Sequence, residues 1–471
     1  MSVDAILGHQ RGLVVAPAGC GKTHLITETV QVAQSKPYLI LTHTTAGVAA
    51  LKKRLRKLGV SKMDAHVSTI DGWALSIANK FPTTCHVTAT PDIPKFFYPD
   101  LRNTVCAYLQ AGYLNEILAA SYSRLLVDEY QDCDAKQHEM ICALSQVIPT
   151  IVLGDPLQAI FDFNGTMPAW EGDVMLNFPP ILTLERPFRW ENAGTPVLGE
   201  WLLGVRQELL GGGQIDLRSC GMHVSWNQLS GDNRANTQMA VQLQYHLRKQ
   251  MAANETLLVI GDSKDRHARH NFARAVEGVD VVEPVDMGEI ISAARALDNC
   301  DPGRLLDLVL TFSETMMTSV GRAEVKRRVE TITAGRNRTP PSEVEIAAIK
   351  VTSTETRESV LGLLEALEKS PESKIYRKSA LNAMKTTALK AIQFPGKSYI
   401  EIASSVREQR RHYGDRRVLS RAIGSTLLLK GLEADHVLIL DASPMNAKHL
   451  YVALSRGARS ITVCSRSPMC P

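Results

Sequence analysis

Short apolar runs recur along the chain, and each breaks off into polar or acidic residues. Leu13 to Val15 opens into APAGCGKT, and YLILT (38–42), RLLVDE (124–129) and TIVLGD (150–155) follow. A second set comes later, at TLLVIGD (256–262), HVLILD (436–441) and SITVCS (460–465). Between these runs lie stretches with helical spacing, such as HLITETV directly after Thr23. Strands alternating with helical segments predict a parallel α/β sheet, and such sheets bind ligands at the carboxyl ends of their strands. Residues 301–417 differ: the pattern is helical and basic, with loop signals at GRNRTPPSE (335–343) and FPGKS (394–398). Residues 85–115, with Pro91, Pro94 and Pro99, read as a small insertion into the first sheet.

The length of 471 residues predicts two to four domains, and 44% apolar with 22% charged residues is ordinary for a globular chain. No apolar run approaches the roughly 18 residues of a membrane span, and the N-terminus lacks a basic-then-apolar signal sequence. The nine cysteines form no C-x-x-C pair and no Cys/His metal spacing, so reduced thiols, a cytoplasmic location and no membrane are expected. The net charge of +4 identifies no partner, but its placement is uneven. Residues 321–430 carry 22 Lys and Arg against 12 Asp and Glu, an excess of ten, which leaves the remainder at −6. Such a segment fits a surface for phosphate backbones and equally a solvated helical face.

The string LVVAPAGCGKT (13–23) matches a phosphate-binding loop, G-x-x-x-x-G-K-[ST], except that Ala16 holds the first glycine position. A methyl group at a strand end still permits the turn. Gly19 and Gly21 let the backbone bend so that successive N–H groups point at one anion, and the following helix presents its N-terminus to phosphate. Lys22 would reach the β- and γ-phosphates, and the Thr23 hydroxyl would ligate Mg²⁺. An accidental Gly-rich turn is the alternative, but strand, loop, Lys-Thr and helix stand in the required order. LLVDEYQD (125–132) adds Asp128 and Glu129 at another strand end. One carboxylate there can hold Mg²⁺ and its neighbour can deprotonate the attacking water.

APAGCGKT, LTHTTAGVAALKKRL, VSTIDGWAL, VDEYQDCD, LGDPLQAIFDFNG, LERPFRW, LLLKGLEADHV and LYVALSRGA occur in that order. Together they resemble the ordered motifs of superfamily 1 helicases of the UvrD/Rep/PcrA type, over nearly the whole chain. The resemblance implies an α/β fold of two RecA-like P-loop domains, ATP in the cleft between them, and 3′-to-5′ movement along single-stranded DNA. In those terms residues 1–84 and 116–180 form the first domain, with 85–115 a reduced insertion. Residues 181–300 and 418–471 form the second, with 301–417 a reduced helical insertion.

The resemblance also implies roles for single residues. Ala18, Gly19, Cys20, Gly21, Lys22, Thr23 and His24 hold ATP, with Gln10 reading the adenine, Phe188 where the family stacks a tyrosine on it, and Glu433 near the ribose. Thr23 and Asp128 hold Mg²⁺, Glu129 is the base, and Gln158 senses the γ-phosphate. Arg189 and Arg456 reach that phosphate from the second domain. Thr42, His43, Thr69, Trp73, Phe163 and Asn164 fall on the DNA path, with Phe163 a stacking aromatic or else a core residue beside Phe161. Several of these depart from the family: His43 replaces a phenylalanine, Asp71 a histidine, Asn164 an arginine and Leu427 a histidine.

The reduced size also resembles the helicase-like subunit of Gabija-type anti-phage systems, which work with an OLD-like nuclease partner of the topoisomerase-primase type. Three functions therefore stand: a DNA-stimulated motor ATPase, a DNA-end-sensing ATPase subunit beside a nuclease, and a non-hydrolysing nucleotide scaffold. Glu129, Arg189 and Arg456 argue against the third.

Overall fold

The run Tyr38–Thr42 is a strand with every residue buried, and the strands at Arg124–Val127 and Thr150–Gly154 repeat that pattern. The computed structural model describes residues 2–61, 63–90, 93–161, 166–219, 221–284, 287–413 and 420–471, without the side chains of 411–413. Six strands, β1 (Arg11–Val15), β2 (Tyr38–Thr42), β3 (Ala65–Thr69), β4 (Arg124–Val127), β5 (Thr150–Gly154) and β6 (Pro180–Thr183), form one sheet. Their order is β3-β2-β4-β5-β1-β6, and each neighbouring pair is parallel. Successive side chains leave a strand on opposite faces. Leu13, Leu39, Leu41, Leu125, Val127 and Val152 enter one apolar cluster, while Val14, Tyr38, Ile40, Leu126, Ile151 and Leu153 enter another. Both faces are covered, which is why these strands read as unbroken apolar runs.

The covering helices include α1 (Ser2–Gly8), α2 (Lys22–Gln31), α3 (Thr45–Lys57), α4 (Ile70–Lys80), α5 (Pro94–Gln110), α6 (Asn115–Ser121) and α7 (Ala135–Ser145). Their starts are written in the sequence. Thr44 accepts from Gly47 N, Thr69 from Gly72 N, and Asp134 with Gln137 makes a reciprocal capping box. The insertion is largely α5, whose Phe97, Leu101 and Val105 join the first apolar cluster. Arg102 on α5 donates to both oxygens of Asp71, at 2.7 and 2.6 Å, and also pairs with Asp134. One guanidinium thereby joins the starts of α4 and α7.

Register places the strand ends. Val15 lies opposite Gly154, and Val127 lies opposite both Leu41 and Val152. The residues that follow β1, β4 and β5, namely Ala16, Asp128 and Asp155, therefore emerge along one edge.

The chain divides into two compact units, Met1–Trp226 with Ala442–Ile461 and Ser467–Pro471, and Asn227–Asp441 with Thr462–Arg466. The second sheet also has six strands. Asp280–Val281, Arg421–Gly424, Leu257–Ile260 and Ala434–Ile439 lie side by side and parallel in it. Helices from Gly288–Asp298 to Tyr399–Tyr413 build a separate apolar cluster around residues such as Ala294, Leu310, Val351 and Leu363. The helical part thus begins before residue 301, the start expected from the sequence. Arg377, 4% exposed on its side chain, ties it to the segment after the strand Asp280–Val281 by pairing with Glu283 at 2.5 Å, and it pairs with Glu289 of the first of these helices at 2.6 Å. Part of the basic excess is taken up locally: Arg322 and Lys326 meet Asp307, Arg327 meets Glu324, and Arg328 meets Glu345. Two six-stranded sheets flanked by helices make this a two-domain α/β fold of the RecA-like kind.

One ion pair stands out by burial. Asp155 at the end of β5 is 0% exposed and meets Arg206, 4% exposed, at 3.1 Å. Removing one partner of a buried pair strands the other charge, so Arg206→Ala should destabilise the first unit by about 3–5 kcal/mol. The expected readout is a lower urea midpoint of that unit's transition. A loss within the roughly 0–1 kcal/mol of an exposed pair would show that Asp155 is satisfied without Arg206.

Candidate nucleotide site

The ladder hands over to the loop at Ala16, whose N–H still donates to Gly154 O at 2.9 Å. Pro17 has no N–H to extend it. The chain then turns on Gly19, at φ 72°, and Gly21, at φ 87°, both in the left-handed region. A Cβ on Gly19 would lie 2.5 Å from the Trp190 ring, and one on Gly21 would lie 3.0 Å from Phe188. Gly21 also caps α2, without any side-chain acceptor, so the first amides of that helix point out of its N-terminus. Ala16 is 1% exposed, and its methyl group is accommodated in the core.

Lys22 Nζ lies 2.7 Å from Glu129 Oε2 and 3.5 Å from Asp128 Oδ1. Burial disfavours the Lys22 charge, but the two carboxylates outweigh it and hold the amine above the usual lysine range. Burial pushes the Asp128 carboxyl up from its ordinary value, against the pull of Lys22. Glu129 sits at φ 56°, a left-handed conformation that costs a non-glycine residue on the order of 1–3 kcal/mol and persists only where surroundings enforce it. Gln131 supplies part of that enforcement. Its Nε2 donates to Glu129 Oε2 at 2.5 Å, and its Oε1 accepts from Asp155 N at 3.2 Å. Asp155 in turn accepts from Leu157 N at 3.3 Å and from Gln158 Nε2 at 3.2 Å. Lys22, Glu129, Gln131, Asp155 and Gln158 are therefore one connected set along the strand edge.

Thr23 is half-buried at the second position of α2, and His24 is exposed, with Nε2 3.1 Å from Glu28 and its ring edge-on to Phe188. Phe188 is half-buried under the Arg186 guanidinium, 4.5 Å from the ring centroid. Arg189 N donates to Gly19 O at 3.1 Å, and its Nη1 donates to Ser455 O at 2.5 Å. Arg456, 4% exposed, donates from Nε to Val452 O and from Nη2 to Ser455 Oγ. Both arginines belong, with the loop, to the compact unit described first. Ala18 and Cys20 are buried in the loop itself. Gln10 is exposed, with its carbonyl accepting from Thr150 N, and Glu433 is exposed in the second unit.

The residues placed on the DNA path are more scattered in character. Thr42 is 1% exposed at the end of β2, and Thr69 Oγ1 caps α4 by accepting from Gly72 N. Trp73, also 1% exposed, lies within an apolar cluster. His43 stacks on Phe161, and its Nδ1 is buried with no hydrogen-bond partner among the described residues. Asp71 is committed to Arg102 and Gln137. Leu427 lies in the short helix Thr426–Leu429. Phe163 and Asn164 fall outside the described residues.

Sequence reasoning passed over Gln131, Arg206 and Tyr451. Gln131 lies inside the quoted acidic string and could have been found by asking what holds Glu129. Tyr451 lies inside the string LYVALSRGA and Arg206 sits on a helix with no local signal, and only the tertiary fold brings Arg206 to Asp155 and Tyr451 to Ala18.

Residues 2–164 match a family model described as an AAA domain. No curated protein matches the chain. The match and the geometry make the first domain a P-loop NTPase core. Among the described residues no helix is long and apolar enough to cross a membrane.

The loop's dependence on glycine can be isolated. Gly19→Ala adds left-handed strain and a clash with Trp190, whereas Gly194, at φ 78°, has open space around its α-carbon. Gly19→Ala should weaken binding of a fluorescent ADP analogue at least about tenfold, as roughly 1.4 kcal/mol would, with Gly194→Ala near wild type. Equal affinity in the two variants would remove the loop from the binding site.

Proposed function

We propose that the chain is an ATP-dependent DNA helicase or translocase, in which DNA-stimulated ATP hydrolysis drives 3′-to-5′ movement on single-stranded DNA. The observation that carries the hydrolytic part is the convergence of Lys22, Asp128 and Glu129 at the N-terminus of α2. The amides from Gly21 to His24 cradle the phosphates, and Lys22 exchanges its carboxylate partners for the β- and γ-phosphates. Thr23 and Asp128 offer the hard oxygen donors that Mg²⁺ takes beside phosphate, so these residues fit that ion and would hold it. Bound there, it would neutralise charge on the phosphates. Glu129, kept in place by Gln131, takes the proton of the attacking water. Gln158 reports on the γ-phosphate, and Arg189 and Arg456 stabilise the charge that develops during transfer.

The DNA part is supported by the ordered motifs and by the basic excess of residues 321–430. A second reading is a DNA-end-sensing ATPase subunit that unwinds little and works with a nuclease partner. It is favoured by Asp71 and Trp73, which sit in motifs given to the DNA path but are engaged in an ion pair and in the core.

Two experiments test these roles. Glu129→Gln keeps the shape of the site and removes the base, so it should bind a fluorescent ATP analogue within about threefold of wild type while turnover falls at least about 10²-fold. Loss of binding would move Glu129 from base to ligand. Turnover is then measured with single-stranded, blunt and tailed DNA at low and high salt. Single strands should stimulate it with little dependence on base order, and the gain should fade as salt rises because counterion release drives binding. Greater stimulation by blunt ends would favour the sensing role, and no response to any DNA would leave only a nucleotide switch.

A further inference from the structure

A phosphate loop works only if its backbone is held before the nucleotide arrives, and buried N–H groups need partners. The inner amides of this loop are held by protein. Ala16 N donates to Gly154 O at 2.9 Å and Cys20 N donates to Pro17 O at 3.2 Å. Ala18 is 6% exposed, and its N–H donates to the hydroxyl of Tyr451 at 3.1 Å, across 433 residues of sequence. Tyr451 is itself 2% exposed on the helix Ala447–Leu454. Burial, with the Asp155 carboxylate nearby, holds its phenol well above the usual tyrosine range, so it stays a neutral hydroxyl.

That helix has a second task. Ser455 N donates to Tyr451 O at 2.9 Å, Ser455 O accepts from Arg189, and Arg456 Nε donates to Val452 O. The turn that props the loop through Tyr451 therefore also seats both arginines. On its other side the loop is held by Arg189 N at Gly19 O and by the Trp190 ring against Gly19.

We propose that Tyr451 is a positioning residue for nucleotide binding: its hydroxyl fixes Ala18 so that the turn from Gly19 to Thr23 is already shaped for a diphosphate. The inference rests on the nucleotide reading given above and deepens it. Tyr451 touches no phosphate in this role, and the loop serves ground and transition states alike. Its loss should therefore act on binding and leave the chemical step alone.

The test is Tyr451→Phe, which keeps the ring and removes only the acceptor. Tyr399→Phe, in the helical part of the second unit, controls for losing a buried phenol hydroxyl. Three readouts are taken on the full chain: Kd for a fluorescent ADP analogue, KM and kcat for ATP, and the melting temperature without nucleotide. Tyr451→Phe should raise Kd and KM by about tenfold and leave kcat within about twofold, the signature of lost uniform binding. The melting temperature should match that of Tyr399→Phe. Unchanged Kd, a fall in kcat alone, or an equal Kd change in Tyr399→Phe would overturn the assignment. A wild type that binds ADP but turns over no ATP would refute hydrolysis and leave the role of Tyr451 standing on Kd.

Discussion

A carboxylate sealed at the end of a central strand must be answered by a cation and by hydrogen bonds, and the first unit is arranged around that demand. Asp155 has no exposure to water. Arg206 answers its charge from one side, Gln158 and Leu157 N fill its remaining acceptor capacity, and Gln131 takes its backbone N–H. A buried ion left alone is too costly to persist, so these partners are held as a set. Because Gln131 also grips Glu129, the demand of one buried charge reaches the residue proposed to activate water. Because Gln158 lies against Asp155, it reaches the proposed sensor too.

The same edge shows how a nucleotide site can rest with its charges internally balanced. Lys22 and its two carboxylates neutralise one another at short range. A diphosphate with its metal brings its own charges and can substitute for each half of that arrangement. Entry of ligand is then an exchange of partners and does not require a buried charge to be created or abandoned. The glycines at 19 and 21 serve this economy of motion, since Trp190 and Phe188 already fill the space where side chains would stand.

How much of this was legible depended on range. YLILT and TIVLGD became β2 and β5 with the bounds 38–42 and 150–154, because full burial on both faces leaves an unbroken apolar run. β6 gave no such signal: it is an edge strand with half-exposed residues, opening on Pro180, and partial exposure erases the pattern. The loop, Lys22, Asp128 and Glu129 were readable because their chemistry is packed into short strings at strand ends. Trp73 shows the opposite case: it stands in a motif given to the DNA path, and packing encloses its ring. Arg206 and Tyr451 meet their partners across 51 and 433 residues, and no local rule encodes such distances.

Arg102 makes the short insertion a working part of the first unit. It is a single side chain in the short insertion that answers two carboxylates, Asp71 and Asp134, at the heads of two different helices. Without the guanidinium the two carboxylates would face each other among partly buried groups with no cation between them, so the junction depends on Arg102 more than on either Asp. The two contacts reach across 31 and 32 residues of sequence, so a change confined to the insertion would be felt at the heads of both helices.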